Sequence, residues 1–78
     1  SIASIAPLFT MNQSGASLSI VSAKSAGFKV QVFDMLGNKV QEVMSNGASA
    51  NLVLKSKGVF QVKATSESFQ QVFTVKSL

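Results

Sequence analysis

The sequence contains no cysteine and no histidine. Without cysteine no disulfide can staple the fold, no thiolate can act as nucleophile or metal ligand, and the redox compartment leaves no trace. Without histidine the commonest general base and the commonest metal ligand are missing. Tryptophan and tyrosine are absent as well, and these are the side chains that carbohydrate sites usually present to a sugar ring. Only three acids occur, Asp34, Glu42 and Glu67, far apart in the chain. No Ser-x-x-Lys or Gly-x-Ser-x-Gly pattern is present, and Lys55-Ser56-Lys57-Gly58 has the wrong order for a phosphate-binding loop. The sequence therefore predicts no catalytic, cofactor-binding or metal-binding residues, and no enzyme.

What is there begins with charge. The net charge is +4, carried by lysine alone at positions 24, 29, 39, 55, 57, 63 and 76. A basic surface attracts anionic partners over long range. The lysines are scattered along the sequence, with no arginine or tyrosine among them, so the nucleic-acid signal is weak: base stacking wants aromatics and bidentate readout wants arginine. With 78 residues the chain is one domain, small but able to fold alone. It begins with Ser1 and not Met, which reads as a fragment or a processed product. Residues 1–6, ahead of Pro7, read as a linker or disordered start, and residues 7–78 as the domain. Ser1 to Met11 is too short and too interrupted to span a bilayer. It also lacks the basic start of a signal peptide, so an export signal would lie upstream.

Glycines at 15, 27, 37, 47 and 58, each in polar company, punctuate the chain about every ten residues. That is the rhythm of an all-β sandwich or barrel. Between them apolar residues alternate: Leu18 with Ile20; Phe28, Val30 and Val32; Leu52 with Leu54; Phe60, Val62 and Ala64; Phe69, Phe73 and Val75. Lys29, Gln31, Gln61, Lys63, Gln70 and Thr74 take the other phase. Period two with one polar face describes half-buried antiparallel strands. The reading gives seven, over about 7–12, 16–22, 28–34, 38–44, 49–54, 59–65 and 69–76. Leu36, Val40, Val43 and Met44 also fit a helical stripe. Gly37, Asn38 and the Asn46-Gly47 pair cut it short, so a bulged edge strand is the preferred reading. Asp34 and Gly37 occupy the first and fourth positions of a type I turn, where a carboxylate can accept backbone N–H bonds and glycine can turn left-handed. Asn46-Gly47 predicts a type I′ hairpin turn. Phe33 is out of phase with Val30 and Val32; a core residue following a bulge is the favoured reading, and an exposed contact patch beside Lys29 or Gln31 the alternative.

"VQVFDMLGNKV", followed some twenty residues later by "KGVFQVKA" and at the end by "FTVK", resembles the C-terminal sorting domain of the type IX secretion system. The matching positions are Val30, Val32, Phe33, Asp34, Leu36, Gly37 and Val40, then Lys57, Gly58, Val59, Phe60 and Val62, then Phe73, Val75 and Lys76. The family often has tyrosine where Phe33 and Phe60 stand, and a leucine where this chain has Lys55. A looser similarity is to the basic terminal modules of bacterial fibre-degrading enzymes. Either resemblance implies a seven-stranded, antiparallel, Ig-like β-sandwich appended to a larger secreted protein.

The sorting resemblance implies a non-catalytic module that reaches the surface or medium through the periplasm and outer membrane, read by the outer-membrane translocon. Recognition by strand addition would use Lys57, Gly58, Gln70, Val72, Thr74 and Lys76; a chain that stops two residues after Lys76 suits a terminal signal. Two other readings stay open. One is an accessory module adhering to carbohydrate or an anionic cell surface, with salt-sensitive attachment; the other is a passive spacer. Unpaired sheet edges also offer edge-to-edge dimerisation of two copies.

Overall fold

A computed structural model describes residues 9–23, 27–67 and 70–77. The expected start segment 1–6 and the side chains of Lys24 and Phe69 lie outside the described residues. Seven strands run through the rest: β1 (Phe9–Ser14), β2 (Ser17–Ser22), β3 (Lys29–Phe33), β4 (Lys39–Met44), β5 (Ser49–Val53), β6 (Gly58–Thr65) and β7 (Gln70–Ser77). Their physical origin is the alternation. In β6, for example, Phe60, Val62 and Ala64 are buried while Gln61 and Lys63 between them are only partly covered. Every strand but β4 buries side chains on one face, and two sheets must meet to cover those faces.

The sheets have three and four strands, in the orders β1-β2-β5 and β4-β3-β6-β7, with every neighbouring pair antiparallel. Phe9, Leu18, Ile20, Ala50 and Leu52 come inward from the first sheet; Phe28, Val30, Val32, Phe60, Val62, Ala64 and Val75 come from the second. The rings of Phe9 and Phe28 meet across the gap, 5.0 Å between centroids and tilted by 58°, a favoured edge-to-face geometry. Each fully buried aliphatic side chain contributes about 1.5–3 kcal/mol. Two antiparallel sheets sharing one core, with the chain crossing between them after β2, β4 and β5, make an Ig-like β-sandwich. Its fourth strand pairs with β3; in constant-type immunoglobulin domains the fourth strand stays beside the fifth. The described residues contain no helix long and apolar enough to cross a membrane.

Two local expectations hold and a third does not. The stretch from Leu36 to Met44 is not a helix: it leaves the hairpin turn and from Lys39 runs as the bulged strand β4. Val32 pairs with Gln41 and Phe33 with Lys39, so Val40 opposes no residue of its own. Asp34 closes the β3–β4 hairpin as expected: Gly37 N–H donates to the Asp34 carbonyl at 3.0 Å, with Gly37 left-handed at φ 89°.

The turn at Asn46-Gly47 is a correction. Asn46 N–H donates to the Ser49 carbonyl at 2.7 Å, so these two residues flank the loop and Gly47-Ala48 forms it. Gly47 has φ 68°, and among the described residues no non-glycine residue has positive φ. Glycine first and an ordinary residue second is the II′ pattern; I′ would force Ala48 into a conformation its Cβ disfavours.

Candidate functional site

Every residue expected to carry recognition is exposed, and all of them gather on one hairpin. Gln70, Val72, Thr74 and Lys76 occupy alternate positions of β7 and all face solvent. Lys57 and Gly58 lie exposed where β6 begins. Gly58 pairs with Ser77 and Val59 with Lys76, which brings Lys57 and Gly58 to the end of the sheet that carries Lys76. Thr74 Oγ1 donates to Gln61 Oε1 at 3.3 Å, one rung along.

The edge of β7 is not bare. Gln13 Nε2 donates to the Lys76 carbonyl at 2.7 Å and to the Gly15 carbonyl at 2.9 Å. Phe9 N–H donates to Gln71 Oε1 at 3.2 Å. The contacts ascend together along both strands, so β1 lies parallel to β7 across the seam between the sheets, held there by glutamine side chains. On the opposite seam Gln41 Nε2 donates to the Val53 carbonyl at 2.9 Å. A strand adding to β7 near Lys76 would have to displace the Gln13 bond. The outward side chains of β7 remain open to solvent.

Those side chains belong to a larger face. Across the four-stranded sheet the register aligns Met44, Lys29, Thr65 and Gln70 in one row, Glu42, Gln31, Lys63 and Val72 in the next, and Phe33, Gln61 and Thr74 in a third. Phe33 corrects the core reading. It is half-exposed, outside the core, and shares the outer face with Lys29 and Gln31. The reason is where the bulge falls. The extra residue is on β4, so β3 keeps its alternation through Phe33. Beside Phe33 the surface dips into an open hollow of about 340 Å³, walled by Met35, Gln61, Lys63, Val72 and the Asp34–Gly37 turn.

Electrostatics divide the acids from the lysines around this hollow. Asp34 Oδ1 accepts the N–H groups of Leu36 and Asn38, each at 2.9 Å. The Asn38 bond above all holds the Asp34 carboxyl below its ordinary value. Glu42 is likewise lowered, first by its bond from Lys39 and further by the positive charge of Lys29 at 4.0 Å. Lys63 has no ion pair among the described residues.

The six described lysines, scattered in sequence, are segregated in space. Lys29, Lys39, Lys63 and Lys76 lie on the four-stranded sheet, and Lys55 and Lys57 in the β5–β6 loop. No residue of β1, β2 or β5 is charged. That second face also has a hollow, larger at about 420 Å³, with Asn12, Ser14, Ser17, Ser19, Asn51 and Val53 around it and no aromatic or charged side chain. Among the described residues no group of His, Cys, Asp or Glu is placed to hold a metal ion.

The segregation and the exposure of Phe33 are what sequence reasoning missed. The phase of Phe33 against Val30 and Val32 was the available signal for the second. No family model and no curated protein matches the sequence.

Proposed function

We propose that this domain is a non-catalytic sorting or anchoring module of a larger secreted protein, recognised by outer-membrane secretion machinery and delivered by it to the surface or medium. The resemblance to type IX sorting domains motivates the reading. The observation that carries it is the clustering of Lys57, Gly58, Gln70, Val72, Thr74 and Lys76, all exposed, on the β6–β7 hairpin. Fusing residues 1–78 behind a reporter with a periplasmic signal, in a bacterium that has type IX secretion, tests it. Translocon-dependent delivery is expected, falling sharply in a folded Lys57→Gln, Lys76→Gln double variant. Retention of the folded parent fusion in the periplasm would sink the reading.

One observation favours a second reading. With four of its six described lysines on one sheet, the domain suits adhesion to an anionic cell surface or polysaccharide. Such attachment loses strength as salt rises, so a pull-down unchanged in high salt would exclude it.

A further inference from the structure

Phe33, Met35 and Val72 line one hollow on a face that is otherwise polar and charged apart from Met44, and none of them belongs to the core. We propose that the hollow they wall is a docking site for an extended acidic segment of a partner protein, which seats one apolar side chain against Phe33 and sets its carboxylates beside Lys63 and Lys29. The inference rests on the geometry of this face and holds whether or not the domain directs secretion.

Three observations converge. The first is exposed apolar surface in a concavity: Met35 is 66% exposed and Val72 52%. At about 340 Å³ the hollow sits at the small end of the range in which binding pockets fall. The flexible thioether of Met35 suits a surface that adapts to its occupant.

The second is an unused donor. Gln61 Oε1 accepts the Thr74 hydroxyl, which leaves the Gln61 amide NH₂ unpaired among the described residues and available to a peptide carbonyl.

The third is charge. Asp34 is in the wall and keeps its negative charge, with the Leu36 and Asn38 amides bonded to its carboxylate. Glu42 is shared between Lys39 and Lys29. The sheet nevertheless carries four lysines, Lys29, Lys39, Lys63 and Lys76, against these two acids, and Lys63 at the hollow has no ion pair among the described residues. The complement of that surplus is a carboxylate. A polyanionic polysaccharide would engage the lysines without needing the hollow. A neutral sugar could accept hydrogen bonds from Lys63 but would leave its charge unanswered.

The test titrates the ¹⁵N-labelled chain with the acetylated peptide Asp-Glu-Phe-Glu-Asp and follows backbone amide shifts. Saturable shifts are expected at Phe33, Met35, Gln61, Lys63 and Val72. The peptides Lys-Lys-Phe-Lys-Lys and Asp-Glu-Ser-Glu-Asp should give none that saturate. Phe33→Ala is expected to weaken binding about tenfold and Lys63→Gln roughly two- to fivefold. Val72→Thr keeps the β-branched shape and should also weaken binding, so the proposal stays testable if Phe33→Ala fails to fold.

Equal responses to the phenylalanine and serine peptides would overturn the proposal, because charge alone would then explain them. Shifts confined to the three-stranded sheet would overturn it too. So would saturable shifts at the hollow with a neutral cello-oligosaccharide and none with the peptide. A domain that binds the peptide but is not exported would lose the sorting reading and keep the docking site.

Discussion

On the three-stranded sheet the outward positions run Thr10, Asn12 and Ser14 on β1, Ser17, Ser19 and Val21 on β2, and Ser49, Asn51 and Val53 on β5. On the four-stranded sheet the equivalent positions carry Lys29, Gln31, Phe33, Glu42, Gln61, Lys63, Val72 and Lys76. Both faces cover the same core, so burial does not explain the difference. An outward strand position needs only a side chain that tolerates the pleat and water. Its chemistry is left over for solubility or for a partner. Here the leftover is spent on one side.

The edges differ in the same way. Lysine on an edge strand discourages pairing with another sheet, and Lys39 and Lys76 stand on β4 and β7. β1 and β5 have no charge to do this. Instead their exposed backbone meets glutamine side chains: Phe9 N–H meets Gln71, and the Val53 carbonyl meets Gln41.

Four predictions break or sharpen the comparison. If the faces differ only in surface chemistry, truncating the core beneath either should unfold the whole domain in one transition. Ile20→Ala, beneath the neutral face, should cost about 2–5 kcal/mol in urea denaturation. Val62→Ala, beneath the charged face, removes fewer carbons and should cost less. Separate transitions for the two sheets would contradict a shared core.

Next in size is Gly37→Ala. It forces a Cβ into a left-handed backbone at the turn that walls the hollow and should cost about 1–2 kcal/mol. Chemical shifts should move at Met35 and Phe33 and stay fixed on β1, β2 and β5.

A transplant separates net charge from its location. Lys29→Gln with Lys63→Gln removes two positive charges from the charged face, and Ser19→Lys with Asn51→Lys restores them on the neutral one. The quadruple variant keeps the net charge of +4. It should fail to recover binding of the acidic phenylalanine peptide; full recovery would mean that location is irrelevant.

The smallest effect is on pH. Asp34 and Glu42 have folded-state pKa values below their ordinary 3.8 and 4.5. Their contribution to stability is therefore present above those ordinary values and lost as pH falls through the lower folded ones. Thermal unfolding should shift downward over that acid range, and Asp34→Asn should flatten the dependence. The strands of the neutral face contain no titratable side chain and should add nothing to it.

All seven strands were legible in the sequence, each end within two residues of its place, because half-buried strands must alternate. Asp34 was legible because its side chain acts on neighbours a few residues away. The distribution of charge was not. Lys29 and Lys63 are far apart in the chain and become diagonal neighbours only through the register of β3 with β6. Phe33 was misread because a bulge was placed on its own strand, and alternation cannot say which of two partners carries the extra residue. The turn at Gly47 was misread by one position, since Asn-Gly fits either the centre or the flank of a hairpin loop. Nothing in the pattern hinted that Gln13, Gln41 and Gln71 would bridge the sheets, because a glutamine bound across a seam reads the same as one in water.

The parallel seam between β1 and β7 has a mechanical consequence. These are the first and last described strands, so tension applied through the two ends of the chain drags one along the other. A backbone ladder loaded in that direction must break many bonds together. Among the described residues two side-chain bonds cross this seam, from Phe9 N–H to Gln71 and from Gln13 to the Lys76 carbonyl, whereas a full backbone ladder ties β7 to β6 and meets the same tension with all its rungs together. Pulled by its ends, the domain should therefore slip first at this seam, while the ladders on either side of it hold.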